Sequence, residues 1–176
     1  MRIKSLLCLI FLATFFLTTH SVTFAESSYV LPYPPQMPGS FMYKLRLASE
    51  EIQKYWYFGN FGQFKYNLKK ADKYLVEAKT LFDYKQYLLG YNALKKSDLY
   101  FSKTFPYLKK AAKEGKDIAQ NYLILRDASL KHIEVLEAFR VTLPETFTWQ
   151  EEKTTAKPLH IGKEISQSIA IRNKSL

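Results

Sequence analysis

The chain has 176 residues, a formal net charge of +10 at neutral pH and a single cysteine, Cys8. One cysteine excludes an intramolecular disulfide framework and a multi-cysteine metal site, so a folded domain must be stabilised by packing. The basic balance favours acidic partners such as nucleic acid, anionic polymers or lipid headgroups.

The first 25 residues have the pattern of an export signal. Arg2 and Lys4 precede an almost wholly apolar stretch at 6–17, and Ala25 ends a small-residue cleavage pattern. We predict cleavage after Ala25 and a secreted or extracytoplasmic location in the cell envelope. The alternative is an uncleaved anchor. The apolar run is shorter than the roughly 20 residues that span a bilayer, so we expect no transmembrane anchor after processing.

Residues 26–39 form a proline-rich segment that we predict to be an extended arm. The stretch "YVLPYPPQMPGSFMY" has four prolines, three tyrosines and no charged side chain. Proline fixes φ and favours an extended conformation that costs little entropy to order. We expect the arm to dock on the folded domain through Tyr29, Leu31, Pro32, Tyr33 and Pro34. The alternatives are a ligand for an aromatic groove on another protein, or disorder.

Residues 40–144 have helical periodicity and predict four helices. The first begins at an N-cap, Ser40, and runs to about Tyr57. Its apolar side consists of Phe41, Leu45, Ala48, Ile52, Tyr55 and Trp56. The second has a stripe with alternating spacings of three and four residues, which keeps one face towards a partner helix. This stripe consists of Phe61, Phe64, Leu68, Ala71, Leu75, Ala78 and Phe82.

The third and fourth predicted helices have comparable seams. The third carries Tyr87, Tyr91, Leu94, Phe101, Phe105, Leu108 and Ala112. Pro106 falls inside it, so we expect a kink or a restart there. The fourth follows Gly115 and Asp117 and carries Ile118, Tyr122, Leu125, Leu136, Phe139 and Leu143.

The predicted fold class is all-α, with no β-alternation: a four-helix antiparallel bundle with an extended N-terminal arm and a partly ordered C-terminal tail. Short connections between the helices favour antiparallel neighbours. Residues 145–176 are expected to be linker and tail, in which Ile161, Ile165 and Ile169 indicate a short last helix.

The chain resembles a family of exported prokaryotic domains of unknown function. The resemblance lies in the order "LPYP", "PGSFMYKL" and "LKKADKYLVEAKTLFDYKQYLLGYNALKKSDLYF", and it covers roughly residues 30–143. Pro35 and Gly39 depart from the residues usual in that family. The resemblance implies a secreted or envelope-associated helical domain, and it offers no catalytic residues to carry over.

The sequence contains no pattern typical of catalysis or of a metal or cofactor site. It has no glycine-rich phosphate loop, no H-E-x-x-H and no nucleophile elbow. We therefore predict that the protein is not an enzyme and that it holds no metal or cofactor.

Two polar residues fall on predicted apolar seams, Asp98 on the third helix and His132 on the fourth. In an antiparallel hairpin about Gly115, both lie 17 positions from the turn and would be level. We expect a buried hydrogen-bonded pair in which Asp98 raises the pKa of His132, and which fixes packing register more than it senses pH or binds metal. The alternatives are that Pro106 breaks the register or that Asp98 faces water.

The excess positive charge lies in residues 65–116, which contain 13 lysines and five acidic residues. Lysine is a compact point charge, which favours loose attraction to a polyanion over shape-specific phosphate recognition. The candidate anion-binding residues are Lys65, Lys69, Lys70, Lys73, Lys95, Lys96, Lys103, Lys109, Lys110, Lys113 and Lys116. The alternative is a solvated surface that only keeps the protein soluble.

From these observations we predict an exported, non-catalytic helical binding or structural module of the cell envelope. Its lysine-rich face would bind an anionic wall polymer or lipid headgroups. Nucleic acid would suit the charge equally well, but export removes the opportunity. The alternative function is a protein–protein adaptor that uses the tyrosine-rich helical hairpin and the proline-rich arm, and whose partner is an envelope protein.

Overall fold

The computed structural model describes residues 28–33, 45, 48–49, 52–152 and 155–176. The elements, in chain order, are a 3-10 turn at Lys54–Trp56, helices α1 at Gly59–Asp83, α2 at Tyr87–Lys113 and α3 at Ala119–Thr142, strands β1 at Phe147–Trp149 and β2 at Lys157–Leu159, and helix α4 at Ile161–Asn173. This part of the chain is mainly helical, in agreement with the predicted class. The predicted signal peptide, 1–25, and the predicted N-cap, Ser40, lie outside the described residues.

Helices α1 and α2 form an antiparallel hairpin. Gly90, at the start of α2, lies so close to α1 that a Cβ atom there would be 2.6 Å from the Phe82 ring. At the far end of the hairpin, the Asn60 side chain donates a hydrogen bond to Glu114. The predicted stripe of α1 forms the seam, with every member from Phe64 to Phe82 buried.

Helix α2 runs without interruption through Pro106, so the predicted restart at this residue is wrong. Proline removes the backbone donor that the carbonyl of Ser102 would otherwise receive. Both Pro106 and Ser102 are exposed. Water can therefore solvate that carbonyl, and the helix continues.

A short β-hairpin, which the sequence analysis did not predict, joins α3 to α4. β1 and β2 pair antiparallel, with Phe147 opposite Leu159. The Phe147 ring contacts the Tyr87 ring at 4.5 Å between centroids, and Leu159 is buried. The hairpin therefore turns the chain back onto the start of α2, and α4 begins two residues after Leu159.

The predicted choice of the four helices that form the bundle is not confirmed. The described residues on the apolar side of the predicted first helix, including Leu45, Ile52 and Trp56, are exposed. The fourth helix that packs into the core is α4, which lies beyond the predicted domain boundary at residue 144. It buries Ile161 and Ile165 and partly buries Ile169.

Two clusters of buried side chains form the core. One lies nearer the α1–α2 turn and draws on all four described helices and β2: Leu75, Ala78, Leu81, Phe82, Ala93, Leu94, Leu136, Phe139, Leu159, Ile161 and Ile165. The other lies towards the open end of the hairpin and draws on α1, α2 and α3: Phe64, Leu68, Ala71, Phe101, Leu108, Leu125 and Ala128. A group of buried polar side chains, described below, lies among these helices.

Candidate functional site

The two sides of the α1–α2 hairpin carry different chemistry. Residues two positions apart on a helix face nearly opposite directions, because each residue turns the helix by about 100°. Asp72 and Tyr74 on α1 have this spacing, and so do Asp98 and Tyr100 on α2. The aspartates bond to residues of α3, α4 and the arm, whereas the two tyrosine rings stack on each other.

Four tyrosines form a continuous aromatic array on the side of the hairpin opposite Asp72 and Asp98. Tyr74 and Tyr100 are stacked, with centroids 5.6 Å apart and planes at 13°. Tyr66 meets Tyr100 edge-on at 6.2 Å, and Tyr57 meets Tyr66 at 5.4 Å. Offset and edge-to-face arrangements of this kind are the favoured geometries of aromatic pairs. We call these four residues the tyrosine array.

Lysines lie over the rings on this side of the hairpin. The distances from Nζ to ring centroid are 5.6 Å for Lys70 over Tyr66, 4.7 Å for Lys73 and 5.5 Å for Lys96 over Tyr74, 5.5 Å for Lys103 over Tyr100, and 5.3 Å for Lys110 over Tyr107. A cation within about 6 Å of a ring gains about 0.5–1 kcal/mol at an exposed site. The rings thus restrict the ammonium groups to one region of the surface while leaving their positive charge in place.

The lysines named in the sequence analysis do not share one face. Lys96, Lys103 and Lys110 are seven residues apart and form a single exposed row on α2 beside the tyrosine array, which we call the lysine row. Lys109 and Lys113 line a different cavity, between α2 and α3. Lys65, Lys69, Lys95 and Lys116 are also exposed, whereas Lys73 is half-buried and Lys70 is buried.

Two cavities adjoin the tyrosine array. One, of about 380 Å³, is lined by Tyr55, Gln63, Tyr66, Asn67, Tyr100, Lys103 and Tyr107. The other, of about 170 Å³, is lined by Pro32, Tyr33, Gln53, Tyr66, Lys69, Lys70 and Lys73. Tyr66 lines both cavities. The tyrosine array is therefore flanked by openings lined by aromatic, amide and ammonium groups, and the ammonium groups suit a negatively charged ligand.

The arm docks on the helices through its first residues. The Tyr29 hydroxyl donates a 2.6 Å hydrogen bond to Asp72 Oδ2 on α1, and burial and this carboxylate together raise the pKa of Tyr29. Leu31 packs against the core. Pro32 and Tyr33 are exposed, and Pro34 lies outside the described residues. The arm is thus docked on the folded domain at Tyr29 and Leu31, whereas Tyr33 is exposed on the surface.

Arg172 on α4 is completely buried and lies at the centre of a polar network. Its Nη1 donates to Asp98 Oδ1, and its Nη2 donates to Ser97 Oγ at 2.8 Å. The hydroxyl of Ser168, one turn earlier on α4, donates to the other oxygen of Asp98 at 2.6 Å. Burying a guanidinium is costly unless it is paired and hydrogen-bonded, and here α2 supplies both requirements.

The network continues from Arg172 to the arm through His132 on α3. Arg172 Nε lies 3.4 Å from His132 Nδ1, and His132 Nε2 lies 2.8 Å from Asp72 Oδ1. A carboxylate oxygen can only accept and a guanidinium can only donate. His132 must therefore carry its proton on Nε2 and present a lone pair at Nδ1, which defines a neutral imidazole.

Burial lowers the pKa of His132, although its hydrogen bond to Asp72 acts in the opposite direction. The positive charge of Arg172 lowers this pKa further, while the negative charges of Asp72 and Asp98 raise it. The contact geometry agrees with the lowered pKa. A proton on Nδ1 would point at the Arg172 donor and replace an attraction with a repulsion.

The predicted hydrogen bond between Asp98 and His132 is not made. Both residues are buried, as expected, but Arg172 contacts each of them, and His132 takes Asp72 as its carboxylate partner. Asp98 does raise the pKa of His132, as expected, but the pKa is lowered overall because burial outweighs the carboxylates. The partners of Asp98 are Arg172 and Ser168 on α4, a segment that the sequence analysis assigns to the tail.

Sequence reasoning missed Asp72, Ser97, Ser168 and Arg172. One signal was available for Arg172, which follows Ile161 and Ile165 at positions that continue the same helical face. An arginine on an apolar face requires a buried acidic partner. Asp72 offered no such signal, because it stands in a lysine-rich stretch where an acid is expected to be solvated.

The described residues include neither a cluster of metal ligands nor a helix suited to crossing a membrane. No group of three or more His, Cys, Asp or Glu side chains in that part of the chain is arranged to hold a metal ion. No helix within the same residues combines the length and the apolar character needed to cross a membrane.

Comparisons with protein-family models, curated proteins and solved structures returned no match for this chain. The resemblance to an exported family therefore stays a prediction.

Replacing Tyr29 with phenylalanine (Tyr29→Phe) tests the docking of the arm. The substitution removes the hydroxyl that satisfies Asp72, so we expect the free energy of unfolding to fall by about 1–2 kcal/mol. Urea denaturation measures this change. Tyr33→Phe is the matched control, because Tyr33 is 93% exposed, and it should leave the free energy unchanged. Equal effects of the two substitutions would contradict docking through Tyr29.

The pH dependence of stability tests the neutral state of His132. The folded-state pKa lies below the unfolded value of about 6.5, so the unfolded chain binds a proton that the folded chain excludes. The associated stability is present above pH 6.5 and is lost as the pH falls towards the folded pKa. In His132→Gln the free energy of unfolding should decline less between pH 7 and pH 5.

His160→Gln provides the matched control for that experiment, because His160 is exposed. A decline in His132→Gln as steep as that of the unmodified protein, measured by urea denaturation at each pH, would show that His132 does not carry the effect.

Proposed function

We propose that this protein is an exported, non-catalytic helical module of the cell envelope that binds an anionic surface through the hairpin of α1 and α2. The observation that carries the proposal is the lysine row, Lys96, Lys103 and Lys110, held over tyrosine rings beside two cavities whose linings include lysine side chains. The ligand class is an anionic wall polymer or anionic lipid headgroups.

The electrostatics of the hairpin support this proposal. Residues 65–116 contain eight more lysines than acidic residues, and nine of the eleven candidate lysines are exposed. Near an anionic membrane surface each lysine gains about 1 kcal/mol, an attraction that salt screens. Contact with rings reduces the freedom that these side chains lose on binding, so more of the attraction contributes to affinity.

The envelope location rests on the sequence. The basic start, the short apolar stretch and the small-residue cleavage pattern of residues 1–25 are typical of a signal peptide. The resemblance to an exported family points to the same compartment. Outside the cytoplasm the abundant polyanions are wall polymers and acidic lipids, which is why they are the proposed ligands.

Co-sedimentation with isolated cell walls and with anionic vesicles tests the proposal. We expect residues 26–176 to sediment with one of these materials at low salt and to be released at high salt. Substituting all three residues of the lysine row with glutamine (Lys96→Gln, Lys103→Gln and Lys110→Gln) should weaken binding by about tenfold, which corresponds to about 0.5 kcal/mol for each lysine.

The matched control changes the same net charge elsewhere. Lys157, Lys163 and Lys174 are exposed and lie outside the hairpin, and their replacement by glutamine should have a much smaller effect. Equal losses in the two triple variants would show a dependence on net charge alone and would contradict a binding role for the lysine row. Absence of binding to both materials would refute the proposed function.

A further inference from the structure

Large apolar and aromatic side chains are exposed at the edge of the tyrosine array. Phe58 is 82% exposed, Trp56 71% and Ile52 59%, and all three belong to the short segment that precedes α1. Tyr33, at the end of the described part of the arm, is 93% exposed. Single exposed apolar residues are ordinary, but several large ones within one short segment mark an interaction surface. We call these four residues, three aromatic and one aliphatic, the aromatic edge.

The aromatic edge lies beside the two cavities that adjoin the tyrosine array. Gln53, next to Ile52, lines the smaller cavity together with Tyr33 and Lys70. Tyr55, next to Trp56, lines the larger cavity together with Lys103. The Tyr57 ring, between Trp56 and Phe58, contacts Tyr66 of the array. Apolar and cationic groups therefore lie near one another in this part of the molecule.

We propose that the aromatic edge inserts into the interfacial layer of an anionic lipid bilayer while the neighbouring lysines contact the headgroups. This inference rests on the proposed function and narrows its ligand from any envelope polyanion to lipid. The protein would lie on the membrane surface, with the side chains of Trp56, Phe58 and Ile52 as the parts that enter it.

The chemistry of the aromatic edge distinguishes lipid from a wall polymer. A hydrated anionic polymer satisfies the lysines but offers little apolar material to Phe58 and Ile52. A bilayer interface offers anionic headgroups and apolar chains within a few ångströms of each other. Tryptophan and tyrosine are enriched at this depth of membranes, and lysine beside them supplies the electrostatic attraction.

Tryptophan fluorescence tests the insertion directly. The chain contains two tryptophans, Trp56 and Trp149, so Trp149→Phe leaves Trp56 as the only reporter. The protein used comprises residues 26–176, the predicted mature chain, because the apolar stretch at 6–17 would itself bind lipid. The probes are phosphatidylglycerol–phosphatidylcholine vesicles, the same vesicles with brominated acyl chains, and dextran sulfate as a lipid-free polyanion.

We expect anionic vesicles to shift the Trp56 emission to shorter wavelength and brominated chains to quench it, with neither effect on pure phosphatidylcholine. The double substitution Trp56→Ala and Phe58→Ala should weaken vesicle binding about tenfold and leave dextran sulfate binding unchanged. Leu123→Ala with Val141→Ala removes exposed apolar side chains from α3 and is the matched control, expected to bind vesicles like the unmodified protein.

The possible failures of the inference and of the proposed function are distinguishable. Salt-sensitive binding to vesicles and dextran sulfate without any change in Trp56 emission would overturn insertion and leave the polyanion proposal standing. Quenching of equal strength on neutral and anionic vesicles would overturn the anionic requirement. If neither probe binds, both the inference and the proposed function are refuted.

Discussion

The fold depends on the burial of one arginine. Arg172 is completely enclosed, and its guanidinium contacts Asp98 and Ser97 on α2 and His132 on α3. His132 in turn contacts Asp72 on α1, which accepts the hydroxyl of Tyr29 from the arm. Removing Arg172, Asp98 and Asp72 from water costs several kcal/mol for each ion, so this group is favourable only when all its partners are in place. The network therefore links the arm and all four described helices.

This network covers one side of the α1–α2 hairpin and leaves the other side on the surface. The side with Asp72, Ser97 and Asp98 is covered by α3, α4 and the arm. The side with Tyr74 and Tyr100 carries the tyrosine array and the lysines above it. A sequence rich in lysine and tyrosine thus separates into a buried polar interior and a basic aromatic surface, and the proposed function belongs to the second.

Much of the hairpin could be predicted from the sequence, because its information is local. The α1 stripe from Phe64 to Phe82 follows from spacing alone, and each residue in it is buried. The β-hairpin could not be predicted, because strands of three residues are too short to show alternation. Periodicity also could not decide which amphipathic segment enters the core. The segment around Ile52 and the one around Ile165 have similar patterns, and only the second carries an arginine that matches Asp98.

The residue types of the candidate site could be predicted from the sequence, but the positions of these residues relative to one another could not. Counting charges located the basic stretch, and helical spacing alone places Lys96 and Lys109 on different sides of α2. Which of those sides adjoins the tyrosine array depends on where the other helices pack. The rings beneath the lysines were visible as tyrosines in the sequence. Their stacking became apparent only when α1 and α2 were placed side by side, since Tyr74 and Tyr100 are distant in the chain.

A double-mutant cycle on Asp98 and Arg172 tests the central claim most directly. Arg172→Met leaves Asp98 buried without its charge partner and should cost about 3–5 kcal/mol of unfolding free energy. Adding Asp98→Asn removes the stranded charge, so the double variant should be more stable than the sum of the two single costs predicts by at least about 1 kcal/mol. Costs that add to within about 0.5 kcal/mol would contradict the account, because the two residues would then stabilise the fold independently.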